Sequence, residues 1–172
     1  MIVGESLALS GEQACVSGQA WTSDRIRFDV LHPGDSDARD GNASSCVIRV
    51  SAGPHTLLLT GDIEAASESD LVRNRAPLAA DIVVVPHHGS LTSSTVPFID
   101  SVHPDFALIS AGYGNRWGFP REPVVERWDA MGAEVLNTAT SGALYFRVCA
   151  DEGVNRMQRE RDRRHRFWHA ET

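Results

Sequence analysis

Asp62, His87 and His88 carry side chains suited to metal binding and proton transfer, and each follows an apolar segment. Asp62 ends the run 57–62, and the two histidines follow 81–86, which contains three consecutive valines. Carboxylate and imidazole groups are ligands of Zn²⁺ and similar cations, and histidine also transfers protons near neutral pH. A metal or proton-transfer site is therefore one interpretation. For the histidine pair alone, a hydrogen-bonded turn with one packed ring is the simpler alternative.

Two buried strands must position these side chains. Short apolar runs bounded by Pro or Gly are typical of strands covered on both faces, and Pro86 ends its strand because it has no N–H to donate. Ligands of open α/β sheets bind at the carboxyl ends of the strands. The sequence thus predicts that Asp62, His87 and His88 meet at one sheet edge, a moderately specific signal for a metal-dependent hydrolase.

The remaining pattern predicts an α/β fold with a mixed sheet. Alternating apolar residues at 25–31 and 46–50 indicate half-buried strands that form an antiparallel meander with 56–60. Helical and strand patterns then alternate. Helices are predicted at 64–74, 94–99 and 122–131, and strands at 81–86, 105–110, 133–136 and 143–148.

Composition favours one domain and gives no general sign of nucleic-acid binding. The 172 residues, 42% of them hydrophobic, are enough for a sizeable core. The formal net charge of -7 does not by itself attract DNA. No apolar stretch approaches the roughly 20 residues that span a bilayer, and the first residues lack signal-peptide features. We expect a soluble chain.

The segment 151–172 is predicted to be an arginine-rich tail beyond a domain at 1–150. Its arginines are Arg156, Arg159, Arg161, Arg163, Arg164 and Arg166. Such a tail suits contact with a DNA backbone, but Glu160 and Asp162 lie among the arginines. A solvated, fraying end is therefore the favoured alternative.

The three cysteines do not have the spacing of a disulfide framework. They are widely separated and odd in number, and no C-x-x-C motif is present. Cys46 and Cys149 lie in apolar strand patterns, so they are predicted to be buried small residues.

Five segments in order resemble one known family. They are 42–46 (NASSC), 58–64 (LLTGDIE), 85–94 (VPHHGSLTSS), 115–120 (NRWGFP) and 138–143 (TATSGA). Together they closely resemble the C-terminal metallo-β-lactamase-like domain of ComEC-type DNA-internalisation competence proteins, over roughly residues 10–148.

This resemblance implies the C-terminal half of an αββα sandwich with Zn or Mn ions at one edge. Asp62 matches a metal-bridging aspartate, and His87 or His88 matches a ligand. The complete domain is expected to be a DNA phosphodiesterase in which metal-bound water attacks phosphorus. It would act on single- or double-stranded DNA, beside the membrane channel of a parent protein in the inner membrane, on the periplasmic side.

Departures from the family pattern limit this expectation. The H-x-H-x-D-H ligand motif is absent from the seven histidines, and Phe119 stands where many relatives carry a histidine. A catalytic zinc takes about three protein ligands, so we expect this chain alone to bind metal weakly and to be inactive. Loss of the other half would uncover an apolar sheet face, which favours a homodimer.

Several polar and aromatic residues are candidates for contact with phosphate or bases. Asn42, Ser45 and Ser90 could hydrogen-bond phosphate, although capping of turns is the more common role. Asn115 and Arg116 offer donors beside Trp117, which offers a stacking surface; a packed loop tryptophan is the equal alternative. The alternative function is therefore a non-catalytic module that binds DNA or a partner.

Overall fold

The computed structural model describes residues 14–34, 41–149 and 153–163. Its main feature is a seven-stranded sheet in which strands β1 to β7 lie in chain order. The first four strands pair antiparallel and β4 to β7 pair parallel, which confirms the predicted mixed α/β sheet. The strands are β1 Ala20–Ser23, β2 Ile26–His32, β3 Val47–Ala52, β4 His55–Leu59, β5 Ile82–Val84, β6 Phe106–Ile109 and β7 Glu134–Asn137.

Three helices connect the parallel strands, as the alternation of patterns predicted. They are α1 Ala65–Arg73, α2 Val96–Val102 and α3 Glu122–Ala130. Proline lies in the first turn of α2 and of α3, where its missing N–H costs no helical hydrogen bond. One apolar cluster joins all three helices to the sheet, with Leu71, Phe98 and Trp128 among its members.

A smaller core lies under the antiparallel part of the sheet. Val30 and Ile48 are buried there beside Cys15, with Phe28 and Val50 partly buried against them.

A disulfide joins Cys15 to Cys46, whose Cα atoms are 6.0 Å apart. The prediction that Cys46 is only a buried small residue was therefore wrong. A pairing over 31 residues depends on how the chain folds back, and cysteine spacing does not report that.

The carboxyl-terminal part forms a second, two-stranded sheet. β8 Leu144–Cys149 pairs antiparallel with β9 Gly153–Arg159, and the short helices α4 Thr138–Ser141 and α5 Glu160–Arg163 flank this hairpin. The favoured alternative of a fraying end is thus wrong for 153–159. Arg159 also donates to Glu134 on β7 at 2.7 Å, which links the hairpin to the main sheet.

β1 was not among the predicted strands. All four of its residues are exposed, and within the described part of the chain it pairs with β2 alone. Arg164 and Arg166 of the predicted tail lie outside the described residues. Among the helices of the described ranges, none is both long and apolar enough to cross a membrane.

Candidate functional site

Two neighbouring parallel strands bring the predicted site residues to one edge. β4 and β5 run in register, with Leu59 opposite Val84, and each continues into a polar turn. Beyond β5, the tight turn Pro86–Gly89 carries both histidines. The His87 backbone N–H donates to Gly61 O at 3.1 Å, so this turn is tied to the turn that carries Asp62.

His88 lies beside Asp62. Its Nε2 atom is 3.5 Å from Asp62 Oδ1, and its Nδ1 atom is 2.8 Å from Ser110 O. A carbonyl oxygen only accepts, so Nδ1 carries the proton in this contact and Nε2 faces the carboxylate. The predicted convergence of Asp62 with a histidine is therefore present in the structure. Both side chains are about half exposed.

His87 turns away to a different carboxylate. Its Nδ1 atom lies 3.1 Å from Glu64 Oε1, and its Nε2 atom lies 3.4 Å from Asn42 Nδ2. Thr92 donates its hydroxyl to the same Glu64 oxygen at 2.9 Å. Sequence reasoning missed Glu64 as a site residue. Its position two residues after Asp62 was the available signal.

Backbone strain accompanies the histidine pair. His87 and His88 have φ values of 48° and 55°, in the left-handed region that side chains with a Cβ adopt at a cost. Strained residues of this kind persist where the surrounding structure fixes them, and they concentrate at functional sites. Here the preceding proline, the hydrogen bond from His87 to Gly61 and the one from His88 to Ser110 hold the turn.

The donor set does not fit a catalytic zinc. Asp62 and His88 offer two facing ligands, whereas His87 is directed to Glu64. Among the described residues, no group of three or more His, Cys, Asp or Glu side chains is arranged to hold a metal ion. A catalytic zinc takes three protein ligands. The expected binding of Zn or Mn stays a prediction.

Phe119 covers the histidine pair with an apolar ring. Its ring centroid lies 5.9 Å from that of His87 and 6.4 Å from that of His88, and the Phe119 and His88 ring planes are 26° apart. The next residue, Pro120, packs closely on Gly89. A Cβ atom added to Gly89 would lie only 2.7 Å from the Cβ atom of Pro120. The glycine after the histidines is therefore needed for close approach as well as for its φ of 80°.

The predicted phosphate ligands near the pair organise turns. Asn42, on the 3₁₀ turn Gly41–Ser44, contacts His87. Ser45 Oγ accepts the Asp62 N–H at 3.2 Å. Ser90 is buried, and its hydroxyl contacts the Thr92 hydroxyl at 3.0 Å. These contacts agree with the capping alternative, and a phosphate role for the three side chains stays a prediction.

The segment 111–119, here called the aromatic loop, presents two exposed rings. Trp117 is 56% exposed and Tyr113 is 64% exposed, so the alternative of a packed loop tryptophan was wrong. The guanidinium carbon of Arg116 lies 4.4 Å from the centroid of Trp117. The guanidinium carbon of Arg161, which belongs to α5, lies 5.4 Å from the centroid of the Tyr113 ring. Sequence reasoning did not select Tyr113, and it did not pair an arginine of the predicted tail with this loop.

Asn115 holds the aromatic loop together. Its side-chain amide donates to Gly112 O at 2.9 Å and to Phe119 O at 2.6 Å, and its Oδ1 atom accepts the Phe119 N–H at 2.9 Å. These bonds occupy the amide. The predicted donation from Asn115 to phosphate therefore competes with loop structure.

Comparisons with known proteins return bacterial competence and recombination proteins. The chain is 39% identical over 144 residues to competence protein ComA of Neisseria gonorrhoeae, which covers 83% of this chain and 21% of ComA. It is 40% identical over 128 residues to recombination protein 2 of Haemophilus influenzae (74% and 16%). It is 34% identical over 122 residues to ComE operon protein 3 of Bacillus subtilis (71% and 16%).

These comparisons correct two interpretations made from the sequence. No protein-family model matches the chain, and none of the three relatives is named as a hydrolase, a nuclease or a metallo-β-lactamase. The interpretation as a ComEC-type metallo-β-lactamase-like domain was therefore wrong, and so was the main interpretation as part of a metal-dependent hydrolase. The chain spans about a fifth or less of the length of these relatives, and it is similar to one section of each of these competence and recombination proteins.

Proposed function

We propose that this chain is a non-catalytic DNA-binding module of a competence protein. The observation that carries the proposal is the stacking of Arg116 over the exposed ring of Trp117. An exposed tryptophan offers a face for a base, and an adjacent guanidinium offers a positive charge for the phosphate. The similarity to proteins named for competence and recombination supports DNA as the ligand.

Local charge around the aromatic loop supports DNA binding despite the net charge of -7. Arg116 and Arg161 stack on the two exposed rings, and the Arg121 guanidinium carbon lies 5.7 Å from the centroid of Phe119. Contacts between arginine and phosphate supply most of the non-specific affinity for DNA. These contacts depend on the charge of the local surface rather than on the net charge of the whole chain.

The disulfide supports a location outside the reducing cytoplasm. Bonds such as Cys15–Cys46 persist in oxidising compartments, of which the bacterial periplasm is one. A module on the periplasmic side of the inner membrane, beside a membrane channel formed by the rest of a parent protein, agrees with this chemistry. A homodimer through an exposed sheet face stays a prediction, and sedimentation of the purified chain would test it.

Fluorescence anisotropy with the full chain and labelled DNA tests the proposal. We expect binding of single-stranded or duplex oligonucleotides with a Kd on the order of 1–100 μM that weakens as salt rises. Arg116→Gln should weaken it, because a positive charge and a ring partner are lost. Arg27→Gln is the matched control, since Arg27 is paired with Asp29 on β2, remote from the loop. No binding of either DNA form at low salt would overturn the proposal.

A further inference from the structure

Each exposed ring of the aromatic loop has its own arginine, and the two arginines come from distant parts of the chain. Arg116 precedes Trp117 within the loop, whereas Arg161 reaches Tyr113 from α5, after the β8–β9 hairpin. The hairpin therefore completes a surface that neither segment forms alone. Tyr113 and Trp117 each stay more than half exposed with their arginines in place, so they are accessible to a further planar group.

The loop is ordered before any ligand arrives. Asn115 is two residues from each of Tyr113 and Trp117 in the sequence, and it fixes the loop through three side-chain hydrogen bonds. At the base of the loop, Ala111 N–H donates to Thr138 Oγ1 at 2.9 Å. A preorganised loop loses less conformational entropy on binding than a mobile one, so exposed rings held in this way suit a binding surface.

The position of Arg161 is also built into the fold. Gly142 has a φ of 72°, and a Cβ there would lie 3.2 Å from Arg161 Cγ. A side chain at position 142 would therefore press on the arginine that stacks on Tyr113. The close approach of α5 to the end of α4 therefore depends on a glycine at position 142.

We propose, resting on the proposed function, that the aromatic loop selects single-stranded DNA over duplex by stacking Tyr113 and Trp117 on unpaired bases. Stacking needs an open base face, and in a duplex each face is covered by the neighbouring base pair, whereas flexible single-stranded DNA can present its base faces. The paired arginines then meet the phosphates that flank each stacked base. The ligand is thus a short stretch of unpaired DNA, read by its base faces and backbone charge and not by its sequence.

Anisotropy with the full chain, a labelled oligothymidylate and a duplex of equal length tests this selection. We expect the single strand to bind about tenfold more tightly than the duplex, and Trp117→Leu and Tyr113→Leu each to weaken single-strand binding by about tenfold. Trp117→Phe keeps an aromatic face and should retain most of the affinity. Circular dichroism of each variant checks that the fold is intact.

Trp21→Leu is the matched control for loss of an exposed tryptophan. Trp21 is 40% exposed on β1, five strand spacings from β6, on the order of 24 Å. The Trp21→Leu variant should bind single-stranded and duplex DNA with affinities within about twofold of those of the wild type. Equal affinity for single strand and duplex would overturn the selection, as would unchanged single-strand binding by both leucine variants. Either result leaves general DNA binding standing, whereas loss of binding to both forms by the wild-type chain would remove both proposals.

Discussion

Glu68 on α1 accepts two hydrogen bonds from Thr95, the residue that precedes α2. The Thr95 backbone N–H and hydroxyl donate to Glu68 Oε2 at 2.8 and 2.7 Å, and the Ser94 N–H donates to Oε1 at 2.5 Å. One helix thereby caps the next, because the first N–H groups of a helix lack partners within it. Burial raises the pKa of Glu68, and these hydrogen bonds and the charge of Arg127 offset part of that rise.

Replacement of Glu68 by glutamine should remove a pH dependence of stability. A carboxyl group whose pKa is raised in the folded state stabilises the fold most below its unfolded pKa, near 4.5, and less as pH rises through the folded value. The free energy of unfolding of the wild type relative to Glu68→Gln should therefore fall as pH rises. Urea unfolding between about pH 4 and pH 8 measures it. A relative stability that rises over this window would contradict the raised pKa.

Gly89→Ala should destabilise the site edge strongly. The new Cβ would meet Pro120 at 2.7 Å, and the φ of 80° is unfavourable for alanine. We expect a loss of about 2–4 kcal/mol in the free energy of unfolding, because strain and overlap add. Gly112→Ala is the control, since its Cβ would have only an ordinary contact at 4.0 Å with Asn115. Thermal unfolding of both variants compares them, and equal Tm values would argue against the close approach.

Reduction of the disulfide should destabilise the protein. The chain-entropy estimate for a loop of this length is about 3.5 kcal/mol, and it acts chiefly on the unfolded chain. Unfolding midpoints with and without dithiothreitol provide the measurement. The double variant Cys15→Ser/Cys46→Ser is the control, because the reductant should not shift its midpoint. An unfolding midpoint of the wild type that is the same with and without dithiothreitol would contradict the presence of the disulfide.

Asn115→Ala should weaken DNA binding and leave the overall stability of the fold nearly unchanged. The variant removes the amide that fixes the aromatic loop, so Tyr113 and Trp117 must be ordered at the moment of binding. We expect a Kd for single-stranded DNA about fivefold higher, with a Tm within a few degrees of the wild type. Asn74→Ala, at the exposed end of α1, is the control. Unchanged affinity in Asn115→Ala would show that loop order is not required.

Much of the local structure was predictable, because it depends on burial and on residues that end elements. The apolar run before Pro86 and the glycine in Gly61-Asp62 identified β5, β4 and the edge at which Asp62 and the histidines lie. Pro97 and Pro123 marked the starts of α2 and α3. The polar strands β1 and β9 were missed, because their stability comes from pairing with β2 and β8 rather than from an apolar pattern of their own.

The sequence by itself determined the α/β class, the order of the core strands and the placement of a carboxylate and two imidazoles at one sheet edge. Only the tertiary structure decided that His88 faces Asp62 while His87 turns to Glu64, that Cys15 meets Cys46, and that Arg161 stacks on Tyr113. The reason is physical. Hydrophobic periodicity and helix signals act over a few residues, whereas side-chain contacts between distant segments depend on how the whole chain packs.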